Sequence, residues 1–549
     1  MAPKSDLHRN VADYKPSVWG DYFLRYASES MEVDQSIAAQ IETLKNNVRD
    51  MLVSNTKNPL EKVHLIDSIC RLGVSYHFEN EIEEVLQHIH KNYVQNGEII
   101  IFEDNLCSLA VLFRLLRQQG LHVSPNVFNK FKDEQGKFSK RIIVDVEGML
   151  SLYEATHLMV QGEDILEDAL AFTTTHLDFV ANESSHPRVT QVKHCLRQAL
   201  HKNLPRLEAR SYIFIYEEDP SHDENLLILA KLDFNMLQSI HQKEFGNLYK
   251  WWKELDAANK LPFARDRMVE GSFWAMGLFF EPQYSIGRKF MSKLIIIITA
   301  IDDAYDAYGT IDELELFTKA IERWDISCLD DLPDYMKFLY KITLDLYEEI
   351  EQEMQKSGRA YTINYYKKAF IQFIQAYMTE ARWLNNNYKP TLEEYIHLST
   401  ETCGYTLLIC TSFIGMGDIT TEEIIKWVSN ETKIVNAAIV IGRIMDDIAS
   451  NEFEQKREHM SSFLECYMKK YNVSREASVQ EGQKRIANAW KDMNKQCLRP
   501  TEIPMPFLTR ILNLSRVIDV FYKDEDNYTN PEGEMKTFIK ALLVDPVVV

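Results

Sequence analysis

The chain has 549 residues, 45% of them hydrophobic, with a formal net charge of −21 at pH 7. That length predicts more than one domain, and the acidic balance argues against nucleic acid or anionic membrane surfaces as partners. No apolar run approaches the ~20 residues a membrane span needs, so no membrane insertion is expected. Residues 1–9 show neither a hydrophobic signal region nor a long Ser/Arg-rich transit peptide. Eight scattered cysteines with no CxxC spacing read as free thiols in a reducing compartment. A cytoplasmic protein is the expectation.

Helical periodicities run over 41–51, 82–93, 106–119 and 335–354, and no sustained alternation argues for a sheet. The fold class predicted is all-α. Asp145, ahead of Val146-Glu147-Gly148, reads as a helix start. The polar, Pro-containing stretch at 216–225 is the best boundary. The predicted organisation is an N-terminal segment (1–35), a structural helical domain (36–220) and a C-terminal domain (221–549) holding every chemistry-bearing motif.

The first of those motifs is Arg265-Asp266-Arg267. Guanidinium groups match phosphate oxygens through a planar fork of donors, although an isolated Arg-x-Arg is usually a surface pair. Neither G-x-x-x-x-G-K-[ST] nor G-x-G-x-x-G occurs, so any phosphate would be held by metal and arginine rather than by a glycine-rich loop.

An apolar helix over 293–301 then runs into Asp302-Asp303-Ala304-Tyr305-Asp306. Positions 302 and 306 share a helix face, and 303 and 306 nearly do. Burying repelling carboxylates costs several kcal/mol unless something pairs with them, so a bound cation is the simplest explanation. Hard oxygen donors without His or Cys favour Mg²⁺ or Mn²⁺ over zinc. Asp330-Asp331-Leu332-Pro333-Asp334 has the same DDxxD spelling, but Pro333 argues for a loop, and these three read as solvated charges.

A second largely apolar helix, 434–445, runs into Asp446-Asp447-Ile448-Ala449-Ser450-Asn451-Glu452-Phe453-Glu454. Asp446, Ser450 and Glu454 stand at i, i+4 and i+8, one stripe able to hold a hard cation. Arg443, one turn earlier, could bind an anion beside it. Asp447, Glu452 and Lys456 read as water-facing.

These motifs, with Phe273-Trp274-Ala275-Met276-Gly277, Arg323-Trp324-Asp325 and Leu542-Leu543-Val544-Asp545-Pro546, resemble those of plant class I terpene synthases of the cytosolic sesquiterpene type, over essentially the whole length. The resemblance implies a C-terminal class I α-barrel and a relict N-terminal α-barrel, the N-terminal segment folding over the active-site mouth. It implies three Mg²⁺ ions and a prenyl diphosphate, farnesyl being favoured. Asp302 and Asp306 would hold two ions, and Asp446, Ser450 and Glu454 the third. Asp303 would support from behind, and Arg265, Arg443 and, assisting, Arg267 would bind the diphosphate. Trp274 and Tyr528 resemble pocket aromatics, with Tyr522 a weaker candidate. Asp526 and Tyr528 fall in a lid over 522–531, Gly404 falls where the family's helix kinks, and Glu380 is placed near a metal-bound water. Arg9-Asn10 before Trp19 lacks one arginine of the family's twin-Arg motif, which favours the sesquiterpene branch.

The chemistry so implied is ionisation of farnesyl diphosphate, cyclisation of the carbocation and release of diphosphate by a monomeric enzyme. Germacrene- and cadinene-forming relatives favour a germacrene-type first ring closure. Three alternatives stay open: a different prenyl diphosphate giving monoterpene or acyclic products, a chain-elongating synthase, and a catalytically silent helical scaffold.

Overall fold

The computed structural model describes residues 9, 14–28, 35–54, 58–95, 105–183, 185–430, 432–454 and 461–549, the side chains of 452–454 excepted. Among the described residues every regular element is a helix, and the sole β feature is an isolated bridge between Lys132 and Phe138. Two compact units are present. One comprises Ile240–Ala489 and Thr509–Ile539 with the described part of Met1–Ser30; the other comprises Met31–Ser239, Trp490–Leu508 and Lys540–Val549.

The polar stretch at 216–225 is indeed a turn, between helices Pro205–Glu217 and Glu224–Glu254. The division between units falls instead at 239/240, inside the second of these helices. In the smaller unit Asp145 caps helix Val146–Thr156, its carboxylate accepting from the Gly148 amide at 2.9 Å. Ion pairs, Arg71 with Glu208 and Arg114 with Asp67, bind its helices together.

The larger unit is organised around helices that cannot face water. Met268–Leu278 buries all of its residues, which suits a helix apolar on every side. Against it lies Ser285–Asp303, whose apolar run ends in the first acidic cluster. The last turn does not stay α-helical: Ala304–Tyr308 is a π-helix, a widened turn of the kind that concentrates at functional sites. Thr310 and Glu313 then form a capping box that starts Ile311–Arg323.

The stretch Leu392–Ile419 is long and apolar enough to cross a bilayer, which the sequence reading overlooked, yet 67% of its most apolar window is buried. It is also broken. Gly404, at φ +72°, separates helices Leu392–Thr402 and Tyr405–Ser412. The left-handed backbone costs a residue with a Cβ roughly 1–2 kcal/mol, and a Cβ there would also lie 3.1 Å from the Phe373 ring. Gly404→Ala is therefore expected to lower stability by about 1–2 kcal/mol, read as a lower urea midpoint with an unchanged slope.

Candidate active site

The two acidic helix ends, the Arg265 loop and the segment after helix Met505–Tyr522 line one open cavity of ≈1580 Å³, mouth included. At the first acidic end, Asp302 faces the cavity while Asp303 is fully buried. Arg265 bridges both. Its Nη2 pairs with Asp302, and its Nε stands 2.9 Å from Asp303 Oδ1. Its backbone amide donates to Asp303 Oδ2 at 2.7 Å, and its Nη1 donates to Thr529 Oγ1 at 3.2 Å. Tyr377 donates its hydroxyl to Asp302 Oδ1 at 2.7 Å. Burial, then the charge of Asp306, push the Asp302 carboxyl up to about 7 against the pull of Arg265. Asp303 is raised by burial, against the same arginine.

The second acidic end repeats the pattern. Arg443 pairs through Nη2 with Asp446 and through Nε, at 2.8 Å, with Asp447 Oδ1. Asp446 lines the cavity, whereas Asp447 is 1% exposed and accepts from Tyr395 at 2.6 Å and from the Phe463 amide at 3.0 Å. The water-facing reading of Asp447 is thus overturned: helix Phe463–Tyr471 and Tyr395 cover it. The Glu452, Glu454 and Lys456 side chains lie outside the described residues.

The donors fit a hard cation. Ser450 Oγ is buried beside the cavity with no hydrogen-bond partner among the described residues, one turn after Asp446. A bare hydroxyl next to a carboxylate is costly unless a ligand claims it. Among the described residues no three His, Cys, Asp or Glu side chains converge to hold an ion by themselves. The pairs on offer suit Mg²⁺, which is commonly held by one or two carboxylates, water and a ligand's phosphates. Asp330, Asp331 and Asp334 are exposed, as expected, but not in a loop: the first two close the 3-10 helix Ile326–Asp331 and Asp334 opens the helix Asp334–Lys356, with Pro333 at its N-cap.

Beyond the acidic ends the wall turns apolar and aromatic: Trp274, Ile295, Ile298, Phe373, Leu408 and Tyr528. Trp274 stacks on Phe521 at 5.0 Å and meets Tyr528 edge-on at 5.6 Å and Tyr522 at 6.2 Å. Tyr528 lies 2.7 Å from Thr299 Oγ1, which itself donates to the Ile295 carbonyl, so the phenol is the donor to Thr299. Asp526 Oδ1 accepts from the Tyr528 and Thr529 amides at 3.0 and 2.9 Å, an Asx-type turn that shapes the 522–530 loop. Glu380 accepts from Thr402 at 2.7 Å and lines the cavity.

Arg267 does not line this cavity. It is 2% exposed and donates to the carbonyls of Tyr528, Thr529 and Lys15 at 3.1, 2.8 and 3.0 Å. Its predicted part in binding diphosphate gives way to a positioning one, tying the 522–530 loop to the N-terminal segment. Tyr14 of that segment lies under the Arg265 guanidinium, 5.0 Å from its ring centre, and lines the cavity. Trp19 donates to Glu270 at 3.1 Å.

Sequence reasoning missed Tyr377, Phe373, Thr299, Tyr405 and Cys403 as cavity residues. Phe370, Phe373 and Tyr377 recur at helical spacing and read as plain core; the acidic cluster opposite was the signal that could have singled out Tyr377. Burial pushes the Cys403 thiol up to about 12, and its Sγ donates to the Thr400 carbonyl at 3.2 Å, so it stays protonated beside the cavity.

Known proteins are similar to this chain over nearly its whole length. The family model described as "Terpene synthase family, metal binding domain" matches residues 253–492, and that described as "Terpene synthase, N-terminal domain" matches 18–198. The chain is 49% identical to a (-)-germacrene D synthase of Vitis vinifera over 551 residues, covering 100% of this chain and 98% of that one. It is 50% identical to a sesquiterpene synthase of Santalum spicatum over 546 residues, with 99% and 97% covered. Isoprene synthase from grey poplar (Populus x canescens), solved with three Mg²⁺ ions and dimethylallyl-S-thiolodiphosphate, superposes with a TM-score of 0.88 at 32% identity, covering 96% of this chain and 99% of that one.

Glu270 gives the unit a pH signature. It is fully buried, and desolvation pushes its carboxyl up to about 7. Because the unfolded value is about 4.3, the folded state binds the extra proton between those limits. Stability from this group is therefore fullest below about 4.3 and is lost as pH rises to about 7. Glu270→Gln removes the effect, so its stability relative to the parent is expected to be higher at pH 8 than at pH 5, measured by urea unfolding at both.

Proposed function

The chain belongs to the terpene synthase family, and we propose that it is a Mg²⁺-dependent sesquiterpene synthase that ionises and cyclises farnesyl diphosphate. What carries the reading is a single convergence: two carboxylate-bearing helix ends, each with its own arginine, open onto one cavity whose remaining wall is apolar and aromatic. An anionic head and a hydrocarbon tail are the two halves of a ligand that such a cavity accommodates.

Asp302 and Asp306 on one helix end, and Asp446, Ser450 and Glu454 on the other, are the residues that would hold the ions, three in number. Bound there, Mg²⁺ or Mn²⁺ supplies charge neutralisation for the departing diphosphate. Arg265 and Arg443, already directed at the acidic ends, grip the diphosphate oxygens. The allylic carbon–oxygen bond breaks, its electron pair leaving with diphosphate, and the resulting cation stays among the aromatic walls. Trp274, Phe373 and Tyr528 present π-electrons to it, each able to contribute up to ~2 kcal/mol when desolvated. Ring closure by a distal double bond and loss of a proton complete the reaction. Asp526 and Arg267 shape and hold the 522–530 loop and the N-terminal segment so that water stays out. Eight free thiols suit a reducing compartment, and we place the enzyme, as a monomer, in the cytosol.

Incubation with farnesyl diphosphate and Mg²⁺ is expected to release cyclic sesquiterpenes identifiable by mass spectrometry. Longer diphosphates would indicate chain elongation instead, and no turnover a silent scaffold. Asp302→Ala is expected to lose about a hundredfold or more in kcat/KM; full retention would remove Asp302 from the metal site. Ser450→Ala is expected to raise the Mg²⁺ concentration for half-maximal rate by about tenfold with protein stability maintained.

A further inference from the structure

Two glycines and one tyrosine in the larger unit are placed in a way that the ionisation chemistry does not require. Tyr405 is the first residue of helix Tyr405–Ser412, delivered there by the left-handed Gly404. It is 5% exposed and lines the cavity. Its ring lies directly on the backbone of Gly442, in the second acidic helix Lys433–Glu454. A Cβ built on Gly442 would fall 1.6 Å from Tyr405 Cε2, 2.2 Å from Cζ and 2.3 Å from the hydroxyl oxygen. No ordinary packing adjustment absorbs such an overlap, so even a methyl group at 442 would have to displace the ring or the helix. The same ring feels the charges of Asp446 and Arg443, which places it where the apolar wall meets the acidic end.

We propose that the Tyr405 ring seated in the Gly442 notch is a specificity determinant: it sets the cavity width beside the point of ionisation and so selects which products form. The proposal rests on the sesquiterpene synthase reading. Its physical basis is that an allylic cation reacts with whichever double bond its folded chain brings near. A wall moved by an ångström or more next to the nascent cation changes which conformers fit. The hydroxyl contributes less than the ring, because the 1.6 Å overlap is with a ring carbon. Gly404 belongs to the same device, since it turns the chain so that Tyr405 faces the second acidic helix. Gly442 precedes Arg443, so the notch also couples wall position to the residue that grips the diphosphate.

Products from farnesyl diphosphate would be compared by gas chromatography–mass spectrometry for the parent, Gly442→Ala, Tyr405→Phe, Tyr405→Leu and the double variant Gly442→Ala/Tyr405→Leu. Gly442→Ala is expected to change the ratio of major products by about tenfold, the equivalent of about 1.4 kcal/mol between competing barriers, and to lower kcat. Tyr405→Phe keeps the ring and is expected to keep the ratio, while Tyr405→Leu shifts it. In the Leu background, adding Gly442→Ala should change the ratio by less than about twofold, because the partner it collides with is gone. If Gly442→Ala does not fold, judged by circular dichroism, the comparison of Tyr405→Phe with Tyr405→Leu decides. Unchanged ratios in Tyr405→Leu, or equal shifts from Gly442→Ala with and without the ring, overturn the proposal. A parent that makes no terpene from farnesyl diphosphate fails the functional reading itself, and this inference with it; a parent that turns over with ratios insensitive to the variants fails the inference alone.

Discussion

Adjacent carboxylates where the apolar stretch of a helix gives out, at the end of Ser285–Asp303 and two turns before the end of Lys433–Glu454, are the constraint on which the rest of the site depends. Asp302-Asp303 and Asp446-Asp447 meet it in the same way. In each pair one side chain faces the cavity, 25% and 27% exposed, and its neighbour is sealed, 0% and 1% exposed. In each, one arginine spans both. Removing an arginine would leave a buried carboxylate uncompensated, at a cost of several kcal/mol. The sealed member anchors the guanidinium, and the open member is left to meet a ligand. Two segments far apart in sequence thus reach one electrostatic solution, and the cavity forms where the two ends face each other.

The opposite half of the cavity has the opposite requirement. A carbocation survives only where nothing nearby is a good nucleophile, and the polar groups lining this wall are held accordingly. The Thr299 hydroxyl proton is committed to Ile295 and the Tyr528 proton to Thr299. Cys403 is raised to about 12 by burial and donates to Thr400, so it presents a thiol rather than a thiolate. Low dielectric, which makes the acidic end costly, is what keeps this wall chemically quiet.

Much of this was legible in the sequence because it is written in helical period. Asp302 with Asp306, and Asp446 with Ser450, fall on shared faces, and all four line the cavity. Composition and periodicity gave the all-α class, and Asp330, Asp331 and Asp334 do stand outside the cavity, although Pro333 starts a helix there rather than a loop. What failed depended on contacts distant in sequence. Asp447 looked exposed because its cover, Tyr395 and the Phe463 amide, comes from two other helices. Tyr377 went unnoticed because its partner, Asp302, lies 75 positions away. The π-turn at Ala304–Tyr308 has no signature that a 3.6-residue period would reveal.

Arg265 and Arg267 show most clearly where motif reading stops. They are two residues apart in a stretch without regular structure, are both largely buried, and spell one motif, yet they do different work. Arg265 reaches the first acidic end; Arg267 spends its donors on the backbone carbonyls of Lys15, Asp266, Tyr528 and Thr529. Arg265 also touches Thr529 through its side chain. The two arginines therefore meet at one position, Thr529, which Arg265 touches at the side chain and Arg267 at the backbone carbonyl. On the proposed function, movement of Arg265 toward an incoming diphosphate would act on Thr529, in the loop that Arg267 holds, and so would link capture of the charged group to exclusion of water from the cation.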